Sequence, residues 1–317
     1  MKKLTRAEAA DYLLSHDNYV ILTHIRPDGD TVGSAAALCL GLRQLGKTAH
    51  VLKNPGVTPR YAWLHEGLTT EDVFAEDTVV STDVASPGML PDEFQYLLPR
   101  VALRIDHHGS ATSFGDLEMV DPDSASCAEV VWDLLELLYV KDEPKIMDAL
   151  YVGLSTDTGC FRFANTTSHT FHVAEACARG GARVYELNQA LFETNTLGKL
   201  KMQAWIVENL HLLAKGSMAI CAIPKAVEVE LGVSSDDMDN ISNFPRTVAG
   251  VNIAATLREA ENGKTKMSVR AVPGYDATVI AERFGGGGHK GAAGCTMDMS
   301  LKDAASAVEK VMLETCL

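Results

Sequence analysis

The feature that most restricts the fold is a repeated alternation in the first part of the chain. Apolar runs of strand length, each closed by a polar residue, are separated by helical patterns. "NYVILTH" is followed by "TVGSAAALCLGLRQLG", a small-residue helix stopped by Gly46, and then come "TAHVLKN", "DTVVSTD" and "VALRIDHH". Strands that alternate with helices build a parallel sheet covered by helices on both faces. In such open sheets ligands bind at the carboxyl ends of the strands. Polar residues at those ends are therefore the first place to look for chemistry.

The alternation then gives way to helices: "SASCAEVVWDLLELLYV", "PKIMDALYVGLSTD", "SHTFHVAEACARGG" and "VYELNQALFE". "LGKLKMQAWIVENLHLLAKG" reads as a long connecting helix. The strand pattern restarts beyond it with "SMAICAIP", "GVNIAATLRE", "KMSVRAVP" and "AAGCTMDM", with "ATVIAERFG" and "LKDAASAVEKVMLE" as helices. A chain of 317 residues exceeds one ordinary core. The expected architecture is α/β: residues 1–195 as an N-terminal domain with a mostly parallel sheet flanked by helices, 196–215 as a helical linker, and 216–317 as a smaller α/β domain.

Chemistry-bearing residues collect at the predicted strand ends. His24, Asp28 and Asp30 lie in "THIRPDGD", Asp83 ends "TVVSTD", and Asp106, His107 and His108 end "VALRIDHH". Asp157, in "GLSTDTG", follows a helix and joins them if that helix ends at the same edge. Each has an ordinary explanation: a helix cap for Asp28 or Asp30, a turn for Asp83, an interior imidazole for His107 or His108. The whole set at strand ends does not. Converging carboxylates repel one another without cations. Carboxylates and imidazoles without thiolates suit a cation of intermediate hardness such as Mn²⁺.

The formal net charge is −14, from 42 acidic and 28 basic residues, which disfavours tracking along a long polyanion. A small anionic substrate remains compatible, since bound cations reverse the local sign. The seven cysteines (39, 127, 160, 177, 221, 295 and 316) lack paired spacing, as expected in a reducing compartment. "MKKLTRAEAADYLL" reads as an amphipathic helix rather than a signal peptide, and no apolar run reaches membrane-spanning length. A cytoplasmic location follows as the expectation.

The ordered segments "HIRPDGDTVGS", "STD", "RIDHHGS", "GLSTDTGCFRF" and "FGGGGHKGAAG" resemble the successive motifs of DHH-superfamily phosphoesterases and their DHH-associated domain, from residue 24 to residue 294. Among subfamilies the chain most resembles the two-domain nanoRNase and pAp-phosphatase group. The resemblance implies two divalent cations, one held by His24, Asp28 and Asp83 and the other by Asp30, Asp83, His107 and Asp157, with Asp83 shared. It implies that Asp106 orients an imidazole or water and that His108 donates to the scissile phosphate. It also implies substrate contacts from Arg270, Gly286, Gly287, Gly288 and His289, although Ala271 stands where relatives often carry Ser. Glycine runs also permit a concavity of backbone N–H groups.

The implied activity is hydrolysis of very short single-stranded RNA to mononucleotides, and of pAp to AMP and phosphate, by in-line attack of a cation-activated hydroxide. Alternatives are a pyrophosphatase or exopolyphosphatase, a cyclic- or linear-dinucleotide phosphodiesterase, and a non-catalytic nucleotide-binding regulator. No membrane and no long duplex are expected as partners; a homodimer is allowed.

Overall fold

The computed structural model describes residues 2–109, 112–234, 236–238 and 241–315. Cys316 lies outside them. The chain divides into two compact units, Met1–Thr194 and Asn195–Leu317.

The first unit holds seven strands: β1 Lys2–Lys3, β2 Tyr19–Leu22, β3 Ala49–Leu52, β4 Thr69–Thr70, β5 Thr78–Thr82, β6 Val101–Asp106 and β7 Leu117–Val120. Their order is β1-β7-β6-β5-β2-β3-β4, and every pairing is parallel. The parallel sheet read from the sequence is present. Because β6, β5 and β2 are neighbours, residues just beyond Asp106, Thr82 and Leu22 emerge side by side, at the ~4.8 Å spacing of adjacent strands.

The helix Gly29–Gln44 is buried along almost its whole length. It is apolar all round because the sheet and other helices enclose it. Val32, Leu38 and Leu42 are fully buried, and each such side chain stabilises the fold by about 1.5–3 kcal/mol. The helix meets Pro144–Asp157 through two glycines. A Cβ on Gly33 would lie 2.3 Å from the Ala149 carbonyl, and one on Gly153 would lie 2.6 Å from Ala128 Cβ and 2.9 Å from Asp30 Oδ1. That close crossing delivers Asp157, the last residue of its helix, to the edge where Asp30 starts the other.

The second unit has a six-stranded sheet: β8 His211–Leu213, β9 Met218–Ile223, β10 Ile253–Glu259, β11 Thr265–Ala271, β12 Gly287–His289 and β13 Ala292–Met297. The order is β12-β13-β11-β10-β9-β8, with β9–β10 parallel and the other pairs antiparallel. One face packs Ile253, Leu257, Met267 and Val269 against Ile280, Val308 and Met312.

Two expectations are corrected. Residues 196–215 are not a continuous helical linker: the helix Leu197–Glu208 ends at Asn209, and β8 follows. That helix buries Met202 and Ile206 with Cys221, Ile223 and Ile241, so it belongs to the second unit's core. At the start, Lys2–Lys3 pair with β7, and the helix begins only at Arg6, capped by Thr5 with Glu8 completing a capping box. The run "GGGGH" is partly strand, Gly287–His289. The short strands β4 and β7 give no distinct sequence signal.

Candidate active site

The loop after β2 carries His24 and Asp28. Asn54 fixes it, Nδ2 donating to Thr23 Oγ1 (3.0 Å) and to the His24 carbonyl (2.9 Å). Asp28 is the N-cap of Gly29–Gln44: its Oδ1 accepts from the Asp30 and Thr31 amides at 3.0 and 3.1 Å. The ordinary reading of Asp28 is thus correct, and it does not exclude the other. His24 Nε2 lies 3.6 Å from both Asp28 Oδ1 and Asp83 Oδ2.

Asp83 follows β5 in the left-handed region, φ +59°, a conformation that is costly for a non-glycine residue and typical of functional sites. It turns the two carboxylate oxygens to different neighbours. Oδ2 faces His24, while Oδ1 lies 3.5 Å from His107 Nε2 and 3.5 Å from His108 Nδ1. Among the described residues, buried Oδ1 has no hydrogen-bond partner. Thr31 Oγ1 donates to the Thr82 carbonyl at 3.0 Å, tying this strand end to the helix.

His107 Nδ1 sits 3.3 Å from the Ser124 carbonyl, a geometry that assigns Nδ1–H as donor. Nε2 then faces Asp30 Oδ2 at 3.7 Å and Asp83 Oδ1 and Asp157 Oδ2 at 3.5 Å. Asp30 is held by amides at the start of another helix, Cys127 N at 2.7 Å and Ala128 N at 2.9 Å, and by Ser34 Oγ at 3.1 Å. Two helix N-termini therefore favour anionic charge here. Asn165 Nδ2 donates to the Asp157 carbonyl at 3.2 Å, fixing the helix end.

Asp106 serves His108 rather than His107's ring. Its Oδ1 accepts from His108 Nδ1 (2.8 Å) and from the amides of His107 (2.8 Å) and His108 (3.2 Å). Its Oδ2 accepts from Arg104 at 2.7 Å. The sequence reading missed Arg104, Asn54 and the amide cradle of Asp30, because an arginine in an apolar run and a backbone N–H carry no motif.

Carboxylates and imidazoles shift one another strongly inside this cluster. Burial, then the Asp83 charge, pushes the Asp30 carboxyl up to about 8. Burial, then Asp30, pushes Asp157 well above the carboxylate range. Burial alone would raise Asp83, but His107 and His24 hold it well below its usual value. Against burial, Asp28 and Asp83 lift His24 to about 10, and Asp83 with Asp30 lifts His107 to about 11.

The ligand atoms form three groups that could hold a metal, each within 4.8 Å: His24, Asp28 and Asp83; Asp30, His107 and Asp157; and Asp83, His107 and His108. Separations of 3.5–3.7 Å between imidazole and carboxylate are too long for hydrogen bonds. They suit donors that each stand about 2.1 Å from one shared cation. The donor set fits divalent cations.

The remaining candidates lie on the second unit's sheet. Arg270 (β11) and His289 (β12) both pair with Ala292 on β13, so they share one face at one level, two strand spacings or about 10 Å apart. Arg270 Nε donates to Asn243 Oδ1 at 2.7 Å. Gly286 and Gly288 have a packing role: a Cβ would meet the Gly294 carbonyl at 2.3 Å and the Ala292 carbonyl at 2.5 Å, respectively, whereas Gly287 faces open space.

A parallel sheet with carboxylates and imidazoles converging at its carboxyl edge, followed by a separate mixed-sheet unit, defines a two-domain α/β protein with a cluster that could hold cations. The chain belongs to the DHH family: the DHH family N-terminal domain matches residues 18–154 and the DHHA1 domain residues 218–314. The bifunctional oligoribonuclease and PAP phosphatase NrnA of Thermus thermophilus is 34% identical over 280 residues, 87% of this chain and 83% of that protein. Its Bacillus subtilis counterpart is 24% identical over 290 residues, 89% and 90% of the two chains. An exopolyphosphatase-related protein from Bacteroides fragilis shares the fold with a TM-score of 0.83 at 21% identity, covering 98% of this chain and 96% of that one.

Proposed function

We propose that this chain is a metal-dependent phosphoesterase that hydrolyses very short RNA to mononucleotides and pAp to AMP and phosphate. The observation that carries the reading is Asp83, whose two oxygens face two separate ligand groups. Such an arrangement suits a carboxylate shared by two cations. His24 and Asp28 would hold one with Asp83; Asp30, His107 and Asp157 would hold the other. Mn²⁺ is the proposed ion, on the mixture of imidazole and carboxylate donors. When bound, the pair would lower the pKa of a water and neutralise charge developing on phosphorus.

The chain's own residues do the rest. Asp106 holds His108 by Nδ1, and the ring is proposed to donate to a phosphate oxygen. Ser124 keeps His107 in the tautomer that presents Nε2. Arg270, His289 and the glycines Gly286 to Gly288 are proposed as substrate contacts supplied by the second unit. The relatives' printed activities support the substrate class. Among the described residues no helix is long and apolar enough to cross a membrane, and six cysteines are unpaired; a cytoplasmic location belongs to the proposal.

The test follows products from end-labelled RNA of two to seven nucleotides, with pAp and pyrophosphate alongside, in the presence of Mn²⁺. Mononucleotide release from the shortest RNAs is expected. Hydrolysis of pyrophosphate with RNA left intact would overturn the reading.

A further inference from the structure

One charged network in the first unit is larger than the cluster needs for its ligands. Arg104, on β6 two residues before Asp106, is 1% exposed. Its Nη2 donates to Asp106 Oδ2 at 2.7 Å and its Nη1 to Glu118 Oε1 at 2.9 Å. Glu118 is its direct cross-strand neighbour on β7. Glu118 is itself fixed, accepting from the Phe114 amide and from Ser113 Oγ, each at 3.2 Å. The guanidinium lies 5.1 Å from the centre of the Phe114 ring. These contacts join Glu118, Arg104 and Asp106, all buried, to the part-exposed His108.

Stability is a weak account of such a network. Each buried ion loses several kcal/mol of hydration, and apolar residues of similar volume often serve a fold as well. Orientation is a better account. Asp83 repels the Asp106 carboxylate, which would turn away from it if left free. With Oδ2 taken by the planar guanidinium fork, Asp106 cannot turn, and Oδ1 is left to accept from His108 Nδ1.

Resting on the proposed phosphoesterase reading, we propose that Arg104, held by Glu118, is a positioning residue: it locks the Asp106 carboxylate, which in turn fixes the His108 ring through Nδ1 for the phosphate contact assigned to it. Arg104→Lys keeps the charge and loses the fork. On a 5′-phosphorylated RNA dinucleotide, kcat should fall about tenfold to a hundredfold, as misplacement of a reacting group does. KM and Mn²⁺ content per chain, measured by elemental analysis after gel filtration, should stay within about twofold of the parent, the scatter expected of uncoupled sites.

The deciding measurement is a double-mutant cycle with His108→Ala. In that background Arg104→Lys should cost little more, because the group it positions is gone. An equal factor in both backgrounds, or loss of Mn²⁺ together with kcat, would make the network structural only and overturn the inference. If Arg104→Lys does not fold, Glu118→Gln, which leaves Arg104 in place, decides by the same cycle. A fully active His108→Ala would strike the role given to His108 in the proposed function, which is a different failure from additivity in the cycle.

Discussion

Asp83 carries the most weight at the scale of single residues, and its backbone decides how to test it. At φ +59°, alanine would add about 1 kcal/mol of backbone strain to the loss of a ligand, whereas asparagine tolerates the conformation. Asp83→Asn should therefore retain its fold, lose turnover by several orders of magnitude, and bind fewer than two Mn²⁺; unchanged metal content and activity would refute the shared-ligand assignment. A second prediction follows from the imidazoles. Without metal, His24 and His107 sit at about 10 and 11, so both hold protons at neutral pH, yet a ligand histidine must be neutral. Mn²⁺ binding at pH 7 should release more than one proton per chain, and affinity should rise with pH; calorimetry in buffers of different ionisation enthalpy reads the number, and zero release would refute it. Because the folded values stand above the unfolded ~6.5, these pairs stabilise the metal-free chain fully below pH ~6.5, and the contribution is lost as pH rises through about 10 and 11. Metal-free Tm should accordingly fall between pH 7 and 10. The candidate ligands were legible because their residue types repeat at strand ends. Arg104 was not, because one basic residue inside "VALRID" looks like an exposed strand position until the fold buries it.

Among the elements, the ones read from sequence are those whose surroundings are uniform. Strands β2, β5 and β6 are short apolar runs because they are buried on both faces, and Gly29–Gln44 is a long apolar helix for the same reason. The misread elements have mixed surroundings. The apolar pattern of residues 197–216 runs on past Asn209, but its last part joins a sheet edge as β8, and nothing local distinguishes Leu212 and Leu213 in a strand from leucines in a helix. The glycine run gave no strand signal, yet Gly287–His289 pair with β13, and Gly286 and Gly288 lie where Gly294 and Ala292 approach too closely for side chains. The helix crossing supplies the prediction at this scale. Gly→Ala inside a helix ordinarily stabilises by up to about 1 kcal/mol. Gly153→Ala should instead destabilise by about 1–3 kcal/mol, because its Cβ would meet Ala128 and Asp30 Oδ1. Urea unfolding measures the stability. Displacing Asp30 should also weaken Mn²⁺ retention, and a stabilised, metal-replete variant would refute the account of how Asp30 and Asp157 are brought together.

For the whole molecule, the point at issue is how the proposed phosphoesterase site would come to prefer very short RNA. The net charge of −14 disfavours tracking along long RNA, and the proposal assigns selectivity to contacts from the second unit. The proposed contacts Arg270 and His289 share a face of the second sheet, both beside Ala292, and the second unit has its own core. Substituting either residue should therefore leave the first unit's ligands unaltered. Remote binding energy spent on holding the reacting phosphate in place appears in turnover only when the substrate is long enough to use it. Arg270→Ala and His289→Ala should each lower kcat/KM on an RNA dinucleotide by about tenfold or more, the equivalent of about 1.4 kcal/mol. Bis-p-nitrophenyl phosphate, which offers no second nucleoside, should lose much less, and Mn²⁺ content should be unchanged. If both substrates fell in parallel with Mn²⁺ retained, Arg270 and His289 would act on the fold or on the chemical step itself, and the second unit would have no part in choosing substrate length.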